Sequence, residues 1–278
     1  HARRIAAIAP RPAAAPTDRP AQSPVRAAGI TSRKSADDAG GEVPALELED
    51  FTVRWPEGTS AVSCAVSVKL APGENLLITG PSGAGKSALA LGLTGFLAHH
   101  GQYRVAAQSV ASDPMQTHGA ETLGPEQLRR EVCLIEQDAH IFDNTLRANL
   151  ALAHPLGPGA AADEELEDAL RAVGLWDWAR ARQGLDTPVG MFGSLISGGQ
   201  AQRIAVARGL LSGAGVLILD EPTAHVDERM AEQLLEELLG ATDGQRSVVL
   251  MTHTHVPKWL FSQSLRLMPG AQQGLPEG

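Results

Sequence analysis

Eight consecutive residues, Gly80-Pro81-Ser82-Gly83-Ala84-Gly85-Lys86-Ser87, leave few folds open to this chain. They match G-x-x-x-x-G-K-[ST], and their flanks give the pattern a context. Asn75 to Thr79 reads as a short buried strand, and Lys86 to Ala98 as a helix with Leu89, Leu93, Phe96 and Leu97 on one side. Strand, glycine loop and helix in that order turn successive backbone N–H groups inward at a helix N-terminus, which makes an anion cradle. The backbone from Gly80 through Ala88 forms its wall, the Lys86 ammonium is placed to reach β- and γ-phosphate oxygens, and the Ser87 hydroxyl to ligate Mg2+. A glycine turn with an incidental surface lysine would need neither the strand nor the helix.

A second apolar run, Val216-Leu217-Ile218-Leu219, ends in Asp220 and Glu221. Packing alone gives a buried strand little reason to end in two carboxylates. The pair is read as chemistry: Asp220 to hold Mg2+ through water, and Glu221, projecting the other way, to polarise an attacking water. A strand end merely capped by acids is the competing reading, and the phosphate loop elsewhere in the chain weighs against it. Val132 to Ile135 and Val248 to Met251 are apolar runs without strict alternation, as expected in a sheet covered on both faces. Earlier, Leu46, Leu48, Phe51, Val53 and Trp55, then Val62, Cys64, Val66 and Val68, alternate as two antiparallel strands do. Helices are expected at Thr145 to Ala153, Asp163 to Val173 and Gln200 to Leu211. Together these elements predict an α/β core with a mainly helical insertion.

The 278 residues, 43% hydrophobic and 20% charged, suffice for one large core or two small ones. No apolar run approaches the roughly 18 to 20 residues that a membrane-spanning helix needs. Cys64 and Cys133 lack CxxC or Cys/His spacing, so they read as small buried hydrophobes rather than a disulfide or zinc site. A net charge of -9 weighs against nucleic acid as a partner. Residues 1–44 depart from that average, with seven Lys or Arg against four acids, and they show neither helix nor strand period. They read as a flexible basic Ala/Pro-rich linker, and residues 45–278 as the folded domain. Because the chain opens at His1 rather than Met, it reads as a segment of a longer polypeptide or a processed product. Arg3 and Arg4 beside Ile5 and Ile8 fit a transit peptide or, as preferred here, a basic stretch leaving a membrane on its cytoplasmic side.

Leu195-Ile196-Ser197-Gly198-Gly199-Gln200 resembles the LSGGQ signature of ABC ATPases. Ser197 and the Gly198 and Gly199 amides can form a second anion nest at a helix start, and in the family this nest closes on ATP held by the other subunit. A serine-glycine turn that simply caps a helix explains the same residues. The resemblance implies that Gln137 is the Q-loop glutamine sensing Mg2+ and the γ-phosphate. It also implies that Ala224-His225-Val226-Asp227 is the D-loop, with Asp227 at the nucleotide, and that His253 is the switch histidine. His255 is the other candidate for that last role. Trp55 sits where the family places an aromatic against adenine, although a lone Trp also serves as core. The remaining histidines, including His99 and His100, form no ligand constellation and are expected to face solvent.

The resemblance covers Ala45 to Phe261 and implies a P-loop NTPase (RecA-like) core, an N-terminal antiparallel β subdomain and an α-helical subdomain inserted at about 138–204. Gln137 to Leu146 looks like the exporter type of Q-loop, against which coupling helices of a membrane domain press. Glu221 to Asp227 further resembles the CydC/CydD group, heterodimeric exporters linked to cytochrome bd assembly and described as moving cysteine, glutathione or haem-related cargo. Three features depart from the pattern. Ala88 stands where a threonine hydroxyl usually meets the α-phosphate; Thr187 to Gly193 lacks the acids that exporters carry before the signature; and Gln102 to Gly124 is longer and more polar than the usual hairpin.

The expected protein is an ATP-hydrolysing motor domain of an ABC exporter at the cytoplasmic face of the membrane. Lys86, Gln137, Glu221 and His253 would be catalytic, and ATP and Mg2+ would be bound. Its expected partners are a second cassette, in a heterodimer or a homodimer, and a transmembrane domain preceding His1. A stand-alone soluble ABC ATPase, or a lipid or drug exporter cassette, is the alternative.

Overall fold

The computed structural model describes residues 28–32, 43–56, 63–112, 122–138, 140–223, 228–242 and 244–268. They form two sheets. The larger runs in the order β1 (Ala28–Ser32), β11 (Gln263–Arg266), β4 (Asn75–Thr79), β10 (Ser247–Thr252), β9 (Val216–Asp220) and β8 (Val132–Ile135), parallel throughout except for β1. The smaller runs in the order β3 (Val66–Leu70), β2 (Leu46–Arg54), β5 (Ala98–Val105), β6 (Gln108–Val110) and β7 (Thr122–Leu123), antiparallel but for the last pair.

Strand period 2 divides the interior into two layers. Leu76, Ile78, Val216, Ile218, Val249 and Met251 turn toward the smaller sheet and pack with Phe51, Val53, Leu89 and Leu93. Their neighbours Leu77, Leu217, Leu219, Val248 and Leu250 turn the other way. That second layer is closed by α3 (Leu146–Ala151), α4 (Asp163–Ala172), α5 (Trp176–Arg180), α6 (Gly198–Leu211) and α7 (Glu228–Gly240). Because both faces of the parallel strands are covered, β9 and β10 are buried at every position.

In β2 the apolar alternation slips by one residue between Leu48 and Phe51, where Asp50 adopts φ 47°. The bulge presses on β5 at Gly101, where a Cβ would lie 2.4 Å from the Glu49 carbonyl oxygen, so only glycine fits. The slip keeps Leu46, Leu48, Phe51 and Val53 all in the core.

Several expectations are corrected. The helix after the glycine loop, α1 (Lys86–Leu93), stops short of Ala98: Gly95 turns left-handed at φ 72°, and Ala98 already begins β5. Leu97 still packs in the core, but Phe96 is exposed beneath the Arg129 guanidinium. His99 is buried, not solvent-facing. Its ring stacks on Phe51 at 5.0 Å, and burial, with a smaller contribution from His100, depresses its pKa to about 4. The 102–124 stretch completes β5 and supplies β6 and β7, and α2 (Pro125–Glu131) follows it. Within the stretch read as linker, Ala28–Ser32 adds β1 to the sheet edge; 1–27 and 33–42 lie outside the described residues, as does the D-loop with Asp227.

Candidate functional site

Parallel strands all end on one side, and β4, β9 and β10 bring three sequence-distant segments to the same edge. At the tip of β4 the chain enters the glycine loop. Gly85, at φ 89°, is the N-cap of α1, a left-handed position that a side chain would strain. Pro81, Ser82, Gly83 and Ser87 are exposed, Gly85 is half-buried, and Gly80, Ala84 and Ala88 are buried. Lys86 is only 7% exposed. Its ammonium donates to the Gly80 carbonyl at 2.9 Å and the Pro81 carbonyl at 3.3 Å, and lies 3.3 Å from Glu221 Oε1.

Glu221 follows β9 in the left-handed region at φ 50°, and its N–H is held by the Met251 carbonyl at 2.9 Å. Its carboxylate is 8% exposed and fully engaged. Oε2 accepts from Thr252 Oγ1 at 2.9 Å and from the His253 N–H at 3.2 Å, while Oε1 meets His253 Nδ1 at 2.8 Å. Burial by itself would raise its pKa. The bonds from His253 and Thr252, with Lys86 beside it, outweigh burial and hold the carboxyl below its ordinary value. An ionised carboxylate only accepts, so His253 carries a proton on Nδ1. The ring of His253 is half exposed.

Asp220 moves in the opposite direction. Burial raises its pKa; a hydrogen bond from Ser87 opposes that rise, while the adjacent Glu221 charge adds to it. Its Oδ1 is buried without a hydrogen-bond partner. An orphaned carboxylate oxygen beside a serine hydroxyl is an oxygen-only donor set that suits Mg2+, a cation held by one or two carboxylates with phosphates and water. Among the described residues no group of three or more His, Cys, Asp or Glu forms a denser metal site.

Gln137 stands exposed two residues beyond β8, whose Ile135 is in register with Leu219. Trp55 follows β2 and is 47% exposed. Both therefore present side chains to solvent near strand ends.

The serine-glycine turn is built differently. Ser197 Oγ accepts from the Gln200 N–H at 3.2 Å, and Gln200 Oε1 accepts from the Ser197 N–H at 2.8 Å, a reciprocal cap on α6. A Cβ at Gly198 or Gly199 would meet nothing within 4 Å. Helix α6 lies over β8 and β9, since a Cβ at Gly209 would come within 2.7 Å of Ile135 and 3.5 Å of Leu217. Those strands stand two to three strand spacings, about 10 to 14 Å, from β4. The C-terminal part of α6 is thus set to one side of the glycine loop, and the turn stands at the other end of the helix. In place of the acids expected before it, Met191, Phe192 and Leu195 are exposed, with Phe192 75% accessible at φ 52°.

Two arrangements escaped the sequence. Thr252 ends an apolar strand and was not singled out. Arg208, on the last turn of α6, donates to the His140 carbonyl at 2.6 Å and the Asn149 carbonyl at 2.8 Å, and also bonds Asn149 Oδ1. Asn149 in turn ties the Phe142 and Thr145 carbonyls at 3.0 and 2.9 Å. The segment after Gln137 is thereby fastened to α6. Of the two, only Arg208, a charge inside the apolar run of α6, leaves a signal in the sequence.

A strand, a glycine loop with a buried lysine and two carboxylates at the end of a parallel strand one removed from it define a P-loop nucleotide-binding domain. The chain belongs to the ABC transporter family, whose model matches residues 64–224, and it is an exporter-type nucleotide-binding domain. The glutathione/L-cysteine transport system ATP-binding/permease protein CydD of Escherichia coli (strain K12) is 34% identical over 80% of this chain and 35% of its own length. Its counterpart CydC is also 34% identical, over 75% of this chain and 34% of its own. Among solved structures, a bacterial Atm1-family ABC exporter with ATP bound superposes with TM-score 0.62 at 27% identity, covering 79% of this chain and 37% of that one. The chain spans about a third of the length of the curated relatives it matches.

Proposed function

We propose that this chain is the ATP-hydrolysing motor of an ABC exporter. The observation that carries the reading is the Glu221 carboxylate, held ionised between Lys86, Thr252 and His253 at the edge where the glycine loop ends. Loop amides and Lys86 bind the phosphates, and Trp55 offers its half-exposed ring to adenine. Mg2+ would be held by Ser87, Asp220 and Gln137 and would neutralise charge developing on the transferred phosphoryl group. Glu221 takes a proton from the attacking water, and His253 orients Glu221 through Nδ1.

The local, solvent-facing order of Ser197, Gly198, Gly199 and Gln200, together with the family, supports a head-to-tail pair of cassettes, each offering its serine nest and Asp227 to the partner's ATP. The family supports a membrane domain as the second partner, engaged at the cytoplasmic face through the exposed surface after Gln137. The named cargo of CydD and CydC favours a thiol such as glutathione or cysteine. The subdomain division follows the same reading: a RecA-like core carries the phosphate loop, the β2-containing sheet carries Trp55, and the helices of about 138–204 carry the signature.

Glu221→Gln tests the chemistry. ATP binding should persist within a few-fold while turnover falls more than about a hundredfold, because the cradle survives and the base does not. Turnover within a few-fold of the parent protein would remove Glu221 from this role.

A further inference from the structure

We propose that Thr252 is a positioning residue for hydrolysis, a buried hydroxyl that fixes the orientation of the Glu221 carboxylate; the inference rests on reading Glu221 as the base. The strand β10 is otherwise apolar after Ser247, and Thr252, its last residue, is 0% exposed. A valine of the same shape would pack there equally well, so packing does not explain the hydroxyl, and a buried hydroxyl is unfavourable unless it is bonded.

Proton counting assigns its bonds. Thr252 Oγ1 lies 2.9 Å from Glu221 Oε2 and 2.9 Å from Thr254 Oγ1, and accepts from the Thr254 N–H at 3.1 Å. A hydroxyl has one proton, and a carboxylate has none to offer. Thr252 therefore donates to Glu221, and Thr254 donates its own hydroxyl proton to Thr252. The order Thr254 to Thr252 to Glu221 leaves Thr252 saturated, with one bond donated and two accepted.

Strand register puts the hydroxyl where it is needed. Thr252 is level with Thr79, the residue before Gly80, while Met251 is level with Asp220. The hydroxyl thus sits between the phosphate strand and the carboxylate strand. Glu221 is a non-glycine residue in the left-handed region, a conformation that persists only where its surroundings over-determine it. His253 also holds the carboxylate, but its ring is half exposed and free of the packing that would fix its orientation. The buried hydroxyl supplies a hold that does not depend on where that ring turns.

The test is steady-state ATP hydrolysis by the 278-residue chain at fixed concentration, with kcat and KM read separately. Thr252→Val should lower kcat about ten- to a hundredfold and leave KM for ATP within about twofold, the signature of an interaction needed by the base rather than by the bound nucleotide. Thr252→Ser should recover kcat to within about threefold of the parent. In a Glu221→Gln background, Thr252→Val should add less than about twofold, because its target is already gone. The exposed variant Thr254→Ala, which leaves the core intact, should lower kcat about two- to fivefold. Full kcat in Thr252→Val, equal loss in Thr252→Ser, or an undiminished further loss in the Glu221→Gln background would overturn the proposal. Unchanged kcat in Glu221→Gln alone would instead overturn the base assignment, and the positioning role would fall with it.

Discussion

The glycine loop and the serine-glycine turn both stand at helix N-termini and are both proposed anion nests, yet they are held in opposite ways. At the first, Lys86 and Glu221 are buried and bonded to each other and to residues at the tips of β4 and β10. At the second, Ser197 and Gln200 cap each other within four residues, with exposed Leu195, Met191 and Phe192 alongside. One is finished by its own fold. The other is a presented surface whose order is purely local, as the proposed role in a site on another chain would require.

Loss at the finished nest should therefore be large and appear in a lone chain. Lys86→Ala removes at least two charge-assisted phosphate contacts and should weaken ATP binding by roughly a hundred- to ten-thousandfold, as read by equilibrium titration. Loss below tenfold would mean that the lysine does not leave its loop carbonyls for the phosphates.

The next effect uses acid to probe cross-strand order. His99 has a folded pKa of about 4 against an ordinary 6.5, so between these values the unfolded chain takes a proton that the folded chain refuses. Stability held above pH 6.5 should be lost as pH falls toward 4, by about 2 to 3 kcal/mol at pH 4.5. In His99→Phe the difference in denaturant stability between pH 7 and 4.5 should shrink by that amount. No change would show that the ring is not kept neutral by its place between Phe51 and Tyr103.

The smallest effect belongs to the local nest. Ser197→Ala should cost about 1 kcal/mol of stability through the lost cap and leave ATP affinity of the lone chain unchanged. It should reduce turnover only at concentrations where cassettes pair. Reduced ATP affinity in a dilute monomer, verified by sedimentation, would make the two nests parts of one site on one chain.

What could be read in the sequence divides along the same line. The glycine loop, the Asp220–Glu221 pair and the Ser197 turn are contiguous residues whose chemistry is local, and each was legible. Strand β1 was not, because an Ala-Pro-Ser stretch acquires its order from β11 rather than from its own period. The buried place of His99 depends on β5 lying against Phe51 of β2, which no spacing reveals. Helix α7 was overlooked although Leu234, Leu235, Leu238 and Leu239 keep the helical repeat. Thr252 was silent because its value lies in the register of β10 with β9.

Arg208 gives α6 a pivot. The residue grips the segment after Gln137 at one end of the helix, and Ser197 rides at the other, about 16 Å away along the axis. A tilt of about 5° at the gripped end carries the serine through about 1.4 Å, half the length of a hydrogen bond. In mechanical terms α6 has the form of a lever: such a tilt would leave the gripped end almost in place and shift Ser197 by enough to make or break a hydrogen bond.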